Sequence, residues 1–191
     1  MPGQYIFEFE RWPRAIFSSF PGESTWHVSL KLFAYLIYRN RAPLVERSVG
    51  QRFKPDLFVL GDDGRVRLWI DCGETSIRKL ARVVAQNPVA RVVIVKDTVR
   101  HLEGYRALAD GALRDRSRLL YLAPDDALID GMAAAMRQRN QVRFAMGPSG
   151  LRIELNGERF AGVLHRRGGV AVADVADPDR GREQRRRRRS G

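Results

Sequence analysis

The chain has 191 residues, and its composition, 44% hydrophobic and 9% aromatic, is that of a globular protein with one domain and a sizeable core. Its 34 lysines and arginines exceed its 22 acids and give a net charge of +12, which favours a polyanion such as nucleic acid as the partner. Residues 176–191 carry a local charge of +4, so +8 remains in the first 175 residues. The positive balance therefore also belongs to the folded part.

Cysteine, histidine and hydropathy patterns exclude several other classes. The only cysteine, Cys72, cannot form an intrachain disulfide, which fits a reducing cytoplasm. The three histidines are far apart in sequence and show no zinc-ligand spacing. The first residues contain acids where a signal peptide needs a basic start, and the longest apolar run, residues 32–38, is too short to span a bilayer. We therefore expect a cytoplasmic protein without membrane contact.

Apolar periodicity predicts an alternation of strands and helices along the chain. In chain order the predicted elements are a strand at 4–10, an extended piece at 15–19, a deeply packed helix starting at Ser24 or Thr25, a hairpin over 54–72 with its turn at 61–64, a helix at 75–87, a strand at 90–95, a helix at 99–115, a strand at 118–123, a helix opening within 124–136, and strands at 141–146 and 151–156. This order predicts an α/β fold with a mixed central sheet flanked by helices over residues 1–161. Residues 162–191, rich in Gly, Pro and Arg, are predicted to be a disordered basic tail.

Two acids mark the hairpin: Asp56 lies where its first strand begins and Asp71 where its second strand ends. Whether they share a face depends on the register set by the turn. If Gly61 pairs with Gly64, the acids are diagonal neighbours on one face, roughly 5 to 8 Å apart at their β-carbons, and can share a divalent cation. If Gly61 pairs with Arg65, they point to opposite faces. The simpler alternative is that both acids are merely solvated strand ends.

Three short motifs in this region resemble the signature segment of the YaeQ family: Pro-Asp-Leu at 55–57, Leu-Trp-Ile-Asp-Cys-Gly at 68–73 and Ile-Arg-Lys at 77–79. The helix entry at 21–38 and the Leu-Ala-Pro-Asp-Asp-Ala-Leu segment at 122–128 are similar to that family as well, and the resemblance covers roughly residues 4–156. It implies a fold related to the PD-(D/E)xK nucleases, with a core ordered as helix, three strands, helix and a further strand.

The resemblance also implies a metal site. In such a site Asp56, Asp71 and the backbone carbonyl of Cys72 would hold Mg²⁺, and Glu23 would be the acid contributed by the first helix. The Cys72 side chain alternates to the opposite face and is expected to pack inertly. Phosphodiester hydrolysis of nucleic acid is the expected activity, with Arg78 as one candidate phosphate contact.

One element of the nuclease pattern is missing from the sequence. The residue two positions after Asp71, where the related nucleases carry a lysine, is Gly73, and Lys79 is the candidate replacement. Helical periodicity places Lys79 nearly opposite the apolar stripe of 77–84, on a solvent-facing side with Arg82, a second candidate nucleic-acid contact, unless the site opens at the edge of the helix. The alternative function is therefore a catalytically degenerate protein that binds nucleic acid or acts as an accessory protein on the same scaffold.

Three further residues have simple interpretations. His27 is interpreted as a satisfied core or boundary residue of the first helix, because a single histidine on a packed helix rarely acts as a ligand. Trp69 is expected to anchor the core. Glu74 lies at a helix start, where the helix dipole stabilises an acid without any functional role.

Overall fold

The computed structural model describes residues 3–18, 22–148 and 150–168. The strands are β1 (Gln4–Phe9), β2 (Ala15–Ser18), β3 (Leu44–Val45), β4 (Leu57–Leu60), β5 (Val66–Cys72), β6 (Arg91–Val95), β7 (Leu119–Pro124), β8 (Arg139–Gly147), β9 (Gly150–Leu155), β10 (Glu158–Gly162) and β11 (Leu164–Gly168). The helices are α1 (Thr25–Tyr38), α2 (Ile77–Gln86), α3 (Val99–Ala112) and α4 (Leu128–Ala135), and a 3₁₀ turn at Arg39–Arg41 follows α1.

The strands form two mixed sheets. One has six strands in the order β11-β7-β6-β5-β4-β3, with β5, β6 and β7 parallel and the others antiparallel. The other has five strands in the order β10-β9-β8-β1-β2, with only β1 and β8 parallel. The α/β class is confirmed, and the predicted order of helix, three strands, helix and strand is present as α1, β3, β4, β5, α2 and β6.

Two hydrophobic clusters hold the layers together. Helices α1 and α4 pack between the sheets, where residues such as Phe33 and Leu36 of α1 contact apolar side chains of both. Helices α2 and α3 cover the other face of the six-stranded sheet. Trp69 lies in that second cluster and is fully buried, so its predicted role as a core anchor is confirmed. Burying one large apolar side chain contributes roughly 1.5–3 kcal/mol.

Local sequence explains where the helices begin. Ser24, Ser76 and Thr98 have extended backbones, and each side-chain oxygen accepts a hydrogen bond from the backbone N–H three residues later. These are N-caps, which satisfy donors that the first helical turn leaves unpaired. The apolar run of β6 is covered on both faces, as expected for a strand inside a parallel ladder.

The β4–β5 hairpin brings its two acids to one face through a β-bulge. At the turn, the Gly61 N–H donates to the Arg65 carbonyl at 2.8 Å, which is the register predicted to separate the acids. The pairing then shifts between Val59 and Leu60, because Arg67 is an extra residue on β5. Beyond this bulge Leu57 pairs with Ile70, so the next step puts Asp56 opposite Asp71 on the same face.

The folded part extends beyond the boundary predicted at residue 161. Residues 164–168 form β11, which pairs antiparallel with β7 at the edge of the six-stranded sheet. Asp125 fixes this strand, because its Oδ1 lies 2.6 Å from His165 Nε2 and its Oδ2 accepts the Val163 N–H at 2.6 Å. The tail predicted at 162–191 is therefore corrected at its start, since Gly162 ends β10 and 164–168 form β11, and residues 169–191 lie outside the described residues.

We predict that Asp125→Ala loosens β11 while the rest of the fold stays intact. The hydrogen bond from His165, followed by that from Val163, lowers the pKa of the Asp125 carboxyl, so this attachment is present at neutral pH and is lost when the pH falls through that lowered pKa. Amide hydrogen exchange across 164–168 should accelerate on the order of tenfold at pH 7. The exposed neighbour Asp126 provides the control, since Asp126→Ala should leave these amides unchanged. Equal exchange in both variants would contradict this role of Asp125.

Candidate active site

The candidate site lies at one edge of the six-stranded sheet, where β4 begins and the parallel strands β5 and β6 end. Asp56 precedes β4 and its side chain is 23% exposed, whereas Asp71 near the end of β5 is only 2% exposed. The Asp56 Oδ2 accepts the Cys72 N–H at 2.7 Å, which ties the start of β4 to the end of β5. The other oxygen, Oδ1, lies 4.0 Å from His27 Nε2.

Asp71 is a buried carboxylate with one oxygen paired and one unpaired. Its Oδ2 lies 2.9 Å from the Lys79 ammonium, while its Oδ1 is buried without a hydrogen-bond partner among the described residues. Burial raises the pKa of Asp71 to about 6; Lys79 opposes this shift, the charge of Asp56 reinforces it, and the Trp69 side chain opposes it as well. The Trp69 Nε1 is itself buried and forms no hydrogen bond with the described residues. A buried oxygen without a donor is costly, and it is a natural position for a cation or a water.

The prediction that Lys79 faces solvent is wrong. The buried residues of α2 are Leu80, Val83 and Val84. The predicted apolar stripe also included Ile77 and residue 81, so the centre of the observed stripe is rotated towards Lys79. Lys79 is also the third residue of the helix, and helical side chains lean towards the N-terminus. The Lys79 side chain, 23% exposed, therefore lies beside the buried stripe and extends past the start of α2 to Asp71.

Glu23 approaches the edge from the start of α1 and contacts it through His27. The Glu23 Oε1 lies 2.8 Å from His27 Nδ1, and the other ring nitrogen, Nε2, lies 4.0 Å from Asp56 Oδ1. This Nε2 is buried and has no hydrogen-bond partner among the described residues. His27 is thus satisfied on one side, as predicted for a boundary residue, and faces the acid pair on the other.

A buried ion-pair network below the site was not predicted. The Lys31 side chain is 1% exposed, lies 2.7 Å from Glu23 Oε1 and also bonds Glu46. Burial lowers the pKa of Lys31, but hydrogen bonds and charges from the two glutamates outweigh it and leave this pKa raised. Glu46 has a φ of 53° and accepts the Ser18 N–H at 2.7 Å, so it also fixes β2. The available signal was a single lysine inside the apolar sequence of α1.

Neighbouring residues take the places that strand alternation predicts. The Cys72 side chain is buried in the core on the face opposite the acids, and this burial raises the pKa of its thiol. Its carbonyl leaves the strand on the same side as its N–H, towards Asp56. Gly73 has a φ of 73°, a conformation that favours glycine. On α2, Arg78 is exposed and Arg82 is partly exposed one turn later.

These donors fit Mg²⁺ as part of a wider ligand set. In the described ranges 3–18, 22–148 and 150–168, no group of three or more His, Cys, Asp or Glu side chains is close enough to hold a metal ion. Mg²⁺, however, commonly binds one or two carboxylates and takes its other ligands from water and substrate phosphate. The unpaired Oδ1 of Asp71, the Oδ1 of Asp56 and the Cys72 carbonyl would suit such a site.

The fold and this edge define a class: an α/β protein whose helix, three strands, helix and strand present two carboxylates and a lysine at one sheet edge. The model of the YaeQ protein family matches residues 14–161, so the chain belongs to the YaeQ family. No curated protein matches the sequence.

Two solved structures share the fold. The crystal structure of YaeQ protein from Pseudomonas syringae is similar with a TM-score of 0.74 and 15% identity, over 86% of this chain and 95% of that one. The crystal structure of YaeQ protein from Xanthomonas axonopodis pv. citri gives 0.68 and 15%, over 86% and 96% of the two chains. In the described part of the chain no helix has the length and apolar character needed to cross a membrane.

We predict that Asp71→Asn stabilises the protein at pH 8 and not at pH 4. The pKa of Asp71 is about 6 in the folded protein and 3.8 ordinarily, so between these values the folded state keeps a proton that the unfolded state has released. The wild type therefore loses stability as the pH rises through this window, on the order of 3 kcal/mol in total, and the variant does not. Urea unfolding at both pH values measures the difference. Asp62→Asn in the exposed turn should show no such change.

We also predict that Lys31→Met destabilises the fold by about 3–5 kcal/mol at pH 7, because it leaves the two buried glutamates without their cation. Adding Glu23→Gln and Glu46→Gln should recover much of this loss, because the triple variant contains no unpaired charge. Thermal and urea unfolding measure both. A Lys31→Met variant as stable as the exposed-site control Arg114→Met would show that the ion pairs contribute little.

Proposed function

We propose that this protein is a metal-dependent phosphodiesterase that acts on nucleic acid. The observation that carries the proposal is the 2.9 Å contact between Lys79 Nζ and Asp71 Oδ2. It supplies, from the first turn of α2, the cation that is absent at Gly73. Two acids on one face with a lysine beside them form the combination that phosphodiester hydrolysis uses.

Each residue has a role in this proposal. Asp56, Asp71 and the Cys72 carbonyl would hold Mg²⁺, whose chemistry in such a site is to neutralise phosphoryl charge and to lower the pKa of water. Lys79 would donate a hydrogen bond to a phosphoryl oxygen and stabilise the charge that develops there. The Glu23–His27 pair would fix the imidazole Nε2 beside Asp56.

The substrate class follows from charge. The net charge of +12 attracts a polyanion, and it is distributed along the chain as well as at its C-terminal end. Arg78 and Arg82 lie one turn apart on α2, so both can contact a phosphate backbone that passes the site. Phosphate contacts of this type position a nucleic acid without reading its sequence.

A second candidate function is nucleic-acid binding without cleavage. It is favoured by the fact that Lys79 already neutralises Asp71, because the acid pair is then compensated without a metal ion. A protein of this kind would bind DNA or RNA with an affinity that falls steeply with salt and is unchanged by Asp56→Ala.

Cleavage of labelled single-stranded DNA, double-stranded DNA and RNA with Mg²⁺ or Mn²⁺ tests the proposal. The wild type should cleave at least one of these, Asp71→Ala should cleave none, and chelation of the metal should stop the reaction. Lys79→Met should lower kcat about 10²–10³-fold, the usual loss when a group that stabilises transition-state charge is removed.

Arg82→Met is the matched control on the same helix, since it removes the same charge. It should raise KM and leave kcat within about twofold, because a phosphate contact away from the reacting atoms contributes equally to ground state and transition state. Absence of cleavage by the wild type on all three substrates, or equal cleavage by Asp71→Ala, would contradict the proposed hydrolysis.

A further inference from the structure

A cavity of about 570 Å³ opens beside the acid pair, between the start of α1, the ends of β5 and β6, and α3. The lining residues that matter here are Trp26, Gly73, Lys96, Arg100, His101 and Tyr105. Gly73 connects the cavity to the candidate site, because it follows Asp71 by two residues on the same strand end. A β-carbon at this glycine would lie 3.7 Å from Trp26 and 3.8 Å from His27, so the two sites have a common wall.

Lys96 is the unusual group in this cavity. Its side chain is 8% exposed, and its ammonium has two contacts among the described residues: it donates to the Gly73 carbonyl at 2.6 Å and lies 4.2 Å from the Tyr105 ring centre. No carboxylate in the described ranges forms an ion pair with it. An ammonium has three donors, and buried lysines are normally paired with an acid. Burial accordingly lowers the pKa of Lys96, against the opposing charges of Asp97 and Glu74.

Two nearby acids offset this buried charge only in part, because neither forms an ion pair with Lys96 among the described residues. The Asp97 carboxylate is engaged by His101, whose Nδ1 lies 2.7 Å from Asp97 Oδ1. Glu74 is exposed at the cavity rim. The 14-residue α3 begins at the same place, and its N-terminal end adds a partial positive charge next to the exposed Arg100. Lys96 and Arg100 line the cavity together with these two acids but have no ion-pair partner in the described part of the chain, so both can bind an anion.

The cavity lies close enough to the acid pair for one nucleic-acid strand to reach both. Lys96 directly follows β6 and lies two residues beyond Ile94, the pairing partner of Asp71. With neighbouring strands about 4.8 Å apart and a rise of about 3.3 Å per residue, its α-carbon is roughly 8 Å from that of Asp71 and roughly 12 Å from that of Asp56. A nucleic acid whose phosphodiester lies over the acid pair reaches the cavity with its adjacent nucleotide. The Trp26 ring offers a surface for stacking the base of that nucleotide.

We propose that this cavity is a nucleotide subsite, in which Lys96 and Arg100 bind the phosphate next to the scissile one and Trp26 stacks on the base. The inference rests on the proposed function, because it takes the strand over the acid pair as the substrate. It extends that function by assigning recognition of an unpaired nucleotide to a second place on the sheet edge.

Fluorescence anisotropy with a fluorescein-labelled single-stranded DNA octamer, in EDTA to prevent cleavage, tests the subsite with the full chain. Lys96→Met should weaken binding at least about tenfold and reduce the salt slope by about one phosphate contact. Arg159→Met, at an exposed position on β10, removes the same charge and should change the affinity less than about twofold. Equal losses in the two variants would overturn the subsite, since general charge would then explain binding.

A stability measurement separates loss of binding from loss of folding. Lys96→Met removes a buried ammonium that has no ion-pair partner among the described residues, so its melting temperature should equal or exceed that of the wild type. If Lys96→Met melts at a lower temperature than the wild type, Arg100→Met tests the subsite instead, because Arg100 is exposed. Arg100→Met should weaken octamer binding about threefold or more without a change in melting temperature. Unchanged binding by Arg100→Met would overturn the proposal in that case.

Two further arms identify the ligand and separate this inference from hydrolysis. If AMP or inorganic phosphate alone binds as tightly as the octamer in a Lys96-dependent way, the cavity is a free-anion site and the strand subsite is overturned. Cleavage by the wild type together with octamer binding that ignores Lys96→Met overturns the subsite and leaves the proposed hydrolysis standing. Lys96-dependent octamer binding without cleavage supports the subsite and contradicts the hydrolysis.

Discussion

The buried ion pairs of Lys31 hold in place the sheet edge at which the candidate site lies. This lysine projects from the middle of α1 and joins Glu23, which precedes the helix, to Glu46, which follows β3 and binds β2. Removing water from three charged groups is expensive, and it is tolerated only where the partners satisfy one another. The same Glu23 oxygen that bonds Lys31 also bonds His27, so the orientation of the imidazole beside Asp56 depends on a cation in the core. One network of ion pairs and hydrogen bonds therefore joins the start of α1, strand β2 and the candidate site.

A second constraint is the extra residue in β5. Without the bulge at Arg67, the observed pairing of Gly61 with Arg65 would continue along the hairpin and direct the two acids to opposite faces. The bulge shifts the register by one residue within two pairs of the turn, between Val66 and Leu68 of β5, so every pair from Val59–Leu68 onward follows the new register. Leu57 and Ile70 then face the core between the sheets, which requires Asp56 and Asp71 to face α2. The hydrophobic pattern thus fixes the position of the polar pair.

Much of the fold could be predicted from local signals, because they act over a few residues. Serines cap α1 and α2, and the apolar run of β6 indicates a strand buried on both faces. Tertiary contacts decided the rest. β11 has little apolar character, and it is held by pairing with β7 and by Asp125, 40 residues before His165. Two mixed sheets in place of one also follow from pairings between distant segments, such as β1 with β8.

The site was predictable to the extent that a residue's face follows from its own strand. Alternation correctly separated Cys72 from Asp71, since both lie on β5. Periodicity failed for Lys79 because the first turn of a helix has no preceding turn to restrict a long side chain, which can then reach back over the helix start. No sequence pattern indicated Glu46, whose left-handed backbone and lysine partner exist only in the assembled fold.

Two buried charges of opposite sign flank the same short segment of chain, and this arrangement accounts for the glycine between them. Asp71 precedes Gly73 by two residues, and Lys96 donates to the Gly73 carbonyl. Among the described residues, one oxygen of Asp71 has no hydrogen-bond partner and Lys96 has no ion-pair partner. The Gly73 N–H donates to the Val95 carbonyl at 2.9 Å as the next bond of the parallel β5–β6 ladder, and the chain then leaves the ladder with a left-handed backbone at Gly73, whose carbonyl accepts from the Lys96 ammonium. A lysine at this position would be strained by that backbone and would place a second cation against Lys96. The cation that pairs with Asp71 therefore comes from α2, which leaves the strand end free to hold Lys96 in the neighbouring cavity.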